Sequence, residues 1–248
     1  MKILLVNDDG YKSHGIVKLA TALSSEHEVV VVAPVKCMSG MAHAMTFGKP
    51  VYLKKIEKYP YECYSLSGTP ADCVKLGTEF LKKKPDLIIS GINTEPNIGT
   101  TVVYSGTAGA AMEASLLGYR SIAVSSNPVT ESDYDYAVGF FMENLDYYLS
   151  LSSTEYALNI NINNPTVGNK AHKIVPIGVR KFTDIYIVGE SDESGLEHTL
   201  VGNPIPVENA EFSDVSAFEN GFATITPLTS NHTDSEALNA LCRKADKA

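Results

Sequence analysis

The 248-residue chain carries a formal net charge of -9 from 20 Lys and Arg against 29 Asp and Glu, with 44% hydrophobic and 20% charged residues. That length supports a sizeable core without disulfides, and the acidic balance argues against gripping a nucleic-acid polymer, which needs clustered basic side chains. A small phosphate ester is not excluded, because a bound cation can neutralise it locally.

In chain order, Lys2–Val6 reads as a buried strand running into Asn7-Asp8-Asp9-Gly10. Residues 16–23 put Ile16, Leu19, Ala20 and Leu23 on one helical face. Residues 29–33, four valines and an alanine, read as a second buried strand stopped by Pro34; such runs suit a parallel sheet covered on both sides. Thr69-Pro70-Ala71-Asp72 has an N-cap, a first-turn proline and a capping-box acid, predicting a helix to about Lys84. Residues 86–90 form a third strand leading into Gly91-Ile92-Asn93. A helix over 105–117 stopped by Gly118, a strand over 121–125 and a helix over 133–149 follow.

The fold class expected is α/β: a Rossmann-like, doubly wound, mostly parallel sheet over residues 1–150. Residues 151–248 form a β-rich extension of the same continuous fold. Its strands are expected at 157–162, 174–179, 185–188 and 222–226, with a flexible arm or long hairpin over 189–209 and a closing helix at 235–244. The four cysteines make no C-x-x-C pair and read as reduced thiols. No secretory leader opens the chain and no apolar run is long enough for a membrane span, so the cytoplasm is the expected location.

Ligands of doubly wound sheets bind at strand carboxyl ends near the switch in strand order, where Asp8, Asp9 and Asn93 would sit. Two adjacent carboxylates repel, and more strongly at low dielectric. Either they cap backbone amides in a turn, or they hold a hard divalent cation, Mg²⁺ or Mn²⁺, with other oxygen ligands; the flanking context favours the cation. Asp-x-Asp phosphatase chemistry fails, because relative to Asp9 the nucleophile's place is taken by Asn7, relative to Asp8 the partner acid's place is taken by Gly10, and an amide cannot form an aspartyl phosphate. A receiver-type module needs an acceptor Asp after the third strand, and residues 46–58 contain none; it stays as the non-enzymatic alternative. Ser39-Gly40 and Gly91-Ile92-Asn93 are ordinary turns taken singly. The small residues of Tyr104-Ser105-Gly106-Thr107-Ala108-Gly109 open a helix that either receives an anion or packs tightly on the sheet. No G-x-S-x-G elbow, H-E-x-x-H pair or P-loop occurs.

The ordered set Asn7-Asp8-Asp9-Gly10, Ala33-Pro34, Ser39-Gly40, Gly68-Thr69-Pro70-Ala71-Asp72, Ser90-Gly91-Ile92-Asn93, Pro96-Asn97-x-Gly99 and Tyr104-Ser105-Gly106-Thr107 resembles the SurE (survival protein E) family of 5'/3'-nucleotidases. Leu158-Asn159-Ile160-Asn161 and Gly221-Phe222-Ala223-Thr224-Ile225-Thr226-Pro227-Leu228 extend the likeness over nearly the whole chain. It implies a metal-dependent phosphomonoesterase that hydrolyses nucleoside monophosphates, with short polyphosphate a further candidate substrate. One divalent cation per subunit would be held by Asp8, Asp9, Ser39 and Asn93. Phosphate would be held by Ser39, Gly40, Asn97, Ser105, Gly106 and Thr107, and the catalytic set would be Asp8, Asp9, Asn97, Ser105 and Thr107. A homodimer or homotetramer is implied, through an exchanged C-terminal element. A relative that binds nucleotide without turnover is the other alternative. Two departures from the family pattern mark this chain. Ala33-Pro34-Val35-Lys36-Cys37-Met38-Ser39-Gly40 lacks the family's acid and the Arg before the serine, and Glu95-Pro96-Asn97 replaces Gly-Pro-Asn.

Overall fold

After their first residues, Lys2–Val6 (β1) and Glu28–Pro34 (β2) are apolar because the sheet they form is covered on both faces; all five residues of β1 are buried. The computed structural model describes residues 1–169 and 171–245. The next strands are Leu53–Lys55 (β3), Glu62–Leu66 (β4), Leu87–Asn93 (β5), Ser121–Ser126 (β6) and Ala157–Ile162 (β7). After them come His172–Ile174 (β8), Lys181–Phe182 (β9), Ile185–Asp192 (β10), Gly195–Val201 (β11), Pro204–Ile205 (β12) and Ala223–Leu228 (β13). Nine of these make one sheet in the order β3-β4-β2-β1-β5-β6-β7-β13-β8. From β4 to β7 every pairing is parallel, whereas β3 and β13 join antiparallel.

The helices are His14–Leu23 (α1), Pro70–Phe80 (α2), Gly106–Leu116 (α3), Glu131–Glu143 (α4), Leu145–Leu151 (α5), Asp214–Glu219 (α6) and Ser235–Ala245 (α7). Apolar residues of α1 and α4 fill one side of the sheet with Ile3, Leu5, Val31 and Ile89. Residues of α2 and α3 fill the other with Leu4, Val6, Val32 and Ile88. From β1 the chain winds outward through β2 and β4, then returns to β1's opposite edge at β5. The switch point therefore falls between β1 and β5, and opens a crevice at their carboxyl ends.

Several boundaries depart from expectation. The capping box of α2 forms as read, with the Thr69 amide donating to Asp72 at 2.8 Å and the Asp72 amide to the Thr69 hydroxyl at 3.2 Å. The helix nevertheless stops at Phe80 rather than near Lys84, because Leu81 turns extended and buries its side chain beside Leu4 and Ile88. The expected helix over 133–149 breaks at Asn144, whose side chain donates to the Phe140 carbonyl at 2.8 Å in place of continued helix. Phe141, Leu145 and Tyr148 are thereby all buried. The strand expected over 174–179 pairs only as far as Ile174, since Pro176 has no amide hydrogen and the Gly178 amide goes to Asp214.

The short strands β3 and β4, the helix α6 and a 3₁₀ turn over Gly99–Tyr104 were not legible in the sequence. The arm resolves into the antiparallel hairpin β10–β11, with every residue of both strands exposed. The expected closing helix forms as α7 but buries none of its residues. No helix among the described residues is long and apolar enough to cross a membrane.

Candidate active site

A cleft of about 540 Å³ opens at the switch point, and Asp8, Ser39, Gly40, Asn93, Asn97 and Ser105 line it. Six of the sequence-predicted residues thus converge from four separate segments. Asp9, Gly106 and Thr107 stand behind that wall. Gly10 lets the chain leave β1 at φ +97°, where a side chain would press on the Pro34 carbonyl at 3.2 Å. Asn7 closes the turn, accepting from the Gly10 amide at 3.1 Å and donating to the Ser13 hydroxyl at 2.8 Å.

Asp8 is 3% exposed, and its Oδ1 accepts a 2.6 Å hydrogen bond from the Thr107 hydroxyl. Thr107 therefore orients a carboxylate from behind and has no face on the cleft. Gly106 is required by the same contact: a Cβ there would lie 2.8 Å from the Asp8 Cβ and 3.0 Å from its Oδ2. Burial pushes the Asp8 carboxyl up, against the lowering effect of the Thr107 hydrogen bond. Asp9 is pushed up to about 6, by burial first, then by the charge of Asp8 and, more weakly, of Glu95. Its Oδ2 is buried without a hydrogen-bond partner. A buried, crowded acid with an idle oxygen needs a positive counterpart.

The oxygen-bearing side chains at this end of the cleft are of the kind that suits a hard cation. Asp8 and Asp9 supply carboxylates and Ser39 a hydroxyl. Asn93 donates its Nδ2 to the Glu95 carbonyl at 2.7 Å, which leaves its Oδ1 available to a cation. No cluster of three or more His, Cys, Asp or Glu occurs among the described residues, so any metal here relies on amide and hydroxyl oxygens beside the two acids. No receiver-type acceptor stands on the strand beside β1, because β5 ends in the amide of Asn93.

Asn97 is held by residues that sequence motifs had not assigned to the site. Its amide donates to Asn161 Oδ1 at 2.7 Å, its carbonyl accepts from Asn159 at 2.7 Å, and its Nδ2 donates to the Ser125 hydroxyl at 2.8 Å. Asn159 and Asn161 are two apart on β7 and share a face; that alternation in an otherwise apolar strand was the available signal. Ser105 caps α3 by accepting the Ala108 amide at 3.0 Å and also lines the cleft.

The extension closes the cleft with Arg180, Phe182 and Pro204. Asp214, fully buried, anchors that wall by accepting the Gly99 amide at 2.9 Å and the Gly178 amide at 2.7 Å. The Arg180 guanidinium lies 5.6 Å from the Phe182 ring centre and brings positive charge to this wall of the cleft. Glu95 is exposed at the rim.

A parallel sheet with carboxylates and amides at its switch point, facing a capped helix start, defines a phosphate-handling α/β protein that uses hard-oxygen chemistry. The family is narrower: residues 3–184 match the profile of the family described as Survival protein SurE, and the chain belongs to it. The chain is 40% identical to the 5'-nucleotidase SurE of Thermosipho melanesiensis, covering 100% of this chain and 99% of that one. It is 38% identical to the 5'-nucleotidase SurE of Clostridium beijerinckii, with both chains covered in full at 100%. The crystal structure of the SurE protein from Aquifex aeolicus superposes with a TM-score of 0.76 at 35% identity, covering 97% of this chain and 98% of that one.

Proposed function

We propose that this protein is a divalent-metal-dependent phosphomonoesterase that hydrolyses nucleoside monophosphates to nucleoside and phosphate. The observation that carries the reading is the convergence of Asp8, Ser39, Asn93, Asn97 and Ser105 on one cleft at the switch point, behind which Asp9 keeps an unpaired buried oxygen. Relatives named 5'-nucleotidase SurE match over the whole chain and support the same reaction.

Asp8, Asp9, Ser39 and Asn93 would hold one Mg²⁺ or Mn²⁺ per subunit. When bound, that ion supplies Lewis-acid polarisation of a phosphoryl oxygen. Asp8 keeps its orientation through Thr107. Asn97, clamped through backbone and side chain, presents its remaining side-chain capacity to phosphate. Ser105 and the start of α3, with Gly40 opposite, face the phosphoryl oxygens; donors fixed in advance stabilise the charge that develops on transfer. Arg180 draws the dianion into an otherwise acidic cleft, and Phe182 offers a ring beside the nucleoside.

The core over 1–150 supplies the metal and phosphate groups, and the extension over 151–248 supplies one wall and the surfaces for self-association. The exposed apolar side chains of the hairpin (Ile185, Ile187, Leu196, Leu200) and of α7 (Leu238, Leu241) support a homodimer or homotetramer. A cytoplasmic location accords with the absence of cysteine pairs: all four cysteines are free.

The test is a phosphate-release screen over nucleoside monophosphates, other nucleotides and short polyphosphates, with Mn²⁺ or Mg²⁺ and with chelator. Release from monophosphates that chelator abolishes is expected. Nucleotide binding without release, or release that is indifferent to chelator, would refute the reading.

A further inference from the structure

The segment from Val35 to Tyr52 joins β2 to β3 without helix or strand of its own, and it carries Ser39 and Gly40 to the cleft. Both residues are exposed, so no overlying structure holds them in place. The segment is tied down from beneath. Between Met38 and Thr46, three ties use its backbone: the Met38 amide donates to the Asp8 carbonyl at 2.7 Å, the Ala42 amide to the Tyr104 carbonyl at 3.0 Å, and the Thr46 amide to Asp72 Oδ1 at 3.0 Å. The fourth uses a side chain, His43, whose Nε2 lies 2.8 Å from Glu113 Oε2. A carboxylate can only accept, so His43 donates from Nε2.

Glu113 is an unusual residue for its position. It is 4% exposed and sits in the last turn of α3, where both burial and the helix dipole disfavour a negative charge. Its compensation comes from outside the helix: Lys75 of α2 approaches Oε1 at 2.5 Å, and His43 takes Oε2. One turn earlier, Gly109 leaves room for the segment's backbone, since a Cβ there would lie 2.5 Å from the Ala42 carbonyl. Gly106, Gly109 and Glu113 follow one another on a single face of α3. That face seats Asp8, then the segment's backbone, then His43.

We infer that His43, with Glu113 and Lys75, is a positioning latch for the segment that presents Ser39 beside Asp8. The inference rests on the proposed cation role of Ser39. His43 touches neither cation nor substrate; it sets where the serine hydroxyl stands relative to the two acids, and so governs cation affinity. Groups that orient metal ligands typically change affinity by roughly 10–100-fold when removed.

The experiment titrates Mn²⁺ into substrate-free protein, reading the free ion by electron paramagnetic resonance, for wild type, His43→Ala and His43→Gln. Hydrogen exchange is followed over residues 36–47 in the same three proteins. Glutamine places a donor nitrogen near the position of Nε2. The Mn²⁺ dissociation constant is expected to rise about tenfold in His43→Ala and to return to within about threefold of wild type in His43→Gln. Loop amides should lose protection in His43→Ala and regain it in His43→Gln. Equal affinity and protection in wild type and His43→Ala overturn the latch, as does His43→Gln failing as badly as His43→Ala. Should His43→Ala not fold, His43→Gln against Glu113→Ala makes the same comparison. A wild type that binds Mn²⁺ but releases no phosphate refutes the proposed function and leaves the latch standing. A wild type that binds no Mn²⁺ refutes the cation role on which the latch rests, and overturns both.

Discussion

The two regions that meet at the cleft hold their functional side chains by opposite means. On the core side Asp8, Asn93, Asn97 and Ser105 are all at most 8% exposed, and each has a hydrogen-bond partner, drawn from another part of the fold for Asp8 and Asn97 and from the adjoining loop or helix start for Asn93 and Ser105. On the extension side Arg180 and Phe182 stand at a short two-stranded ribbon, next to a hairpin with no buried residue. Fixed geometry suits groups that stabilise developing charge, because they must not reorganise during the reaction. A thinly anchored wall suits recognition of the variable part of a substrate. On the proposed function, the chemistry falls mainly to the densely packed side, the exposed Ser39 excepted, and selectivity to the sparser one.

That contrast can be broken most decisively at Asp8. Asp8→Asn keeps the shape and an acceptor for Thr107 while removing a charge, and phosphate release should fall by at least about 10²–10³-fold, several kcal/mol of transition-state stabilisation. Near-wild-type turnover by folded Asp8→Asn protein would remove the core from the chemistry. Gly106→Ala comes next. Its methyl group would displace Asp8 without touching substrate, so kcat is expected to drop roughly 10–100-fold, the scale set by a misplacement near 1 Å, with KM for nucleotide moving much less. A change confined to KM would show that the seat of Asp8 is not what limits the step.

Arg180→Ala probes the other side of the comparison. Loss of a charged partner at an open wall should raise KM about tenfold, at the low end of the roughly 1.5–3 kcal/mol for hydrogen bonds to charged groups, and leave kcat within about threefold. A kcat collapse would instead make the extension part of the catalytic machinery.

The smallest effect expected is on stability. Asp9 has a folded-state pKa of about 6, above its ordinary 3.8, so the cation-free folded state holds that proton more tightly than the unfolded chain. Its contribution to stability is greatest below about pH 4 and declines as pH rises through 6. In chelator at pH 7.5, Asp9→Asn should therefore melt about 2–4 °C above wild type, equivalent to roughly 1 kcal/mol for a chain of this size. The gap should narrow as pH falls through 6. A gap that is constant with pH would mean the acids do not strain the empty site.

The core was readable because its signals are local. Valine runs, the Thr69-Pro70-Ala71-Asp72 cap and the acids after β1 each carry their meaning within a few residues. The same locality explains the misreadings. Leu81 leaves helix for a core that only the folded sheet creates, and Asn144 interrupts a helix in favour of burying Tyr148. At the site, Asp8, Asp9 and Asn93 could be placed at strand ends, whereas Ser39 and Asn97 were marked only by the family resemblance. The hydroxyl of Thr107 could be picked out too, but not its direction, toward Asp8 and away from the cleft.

By itself, then, the sequence determined the doubly wound order, the acidic switch point and the family, because periodicity, caps and motif spacing are properties of neighbouring residues. Only the tertiary structure decided that Asn159 and Asn161 clamp Asn97, that Asp214 secures the wall bearing Arg180, and that Glu113 meets His43 and Lys75. Those pairings join residues 36 to 115 positions apart. No local propensity specifies such pairings; they follow from which strand ends and helix faces the completed sheet brings together.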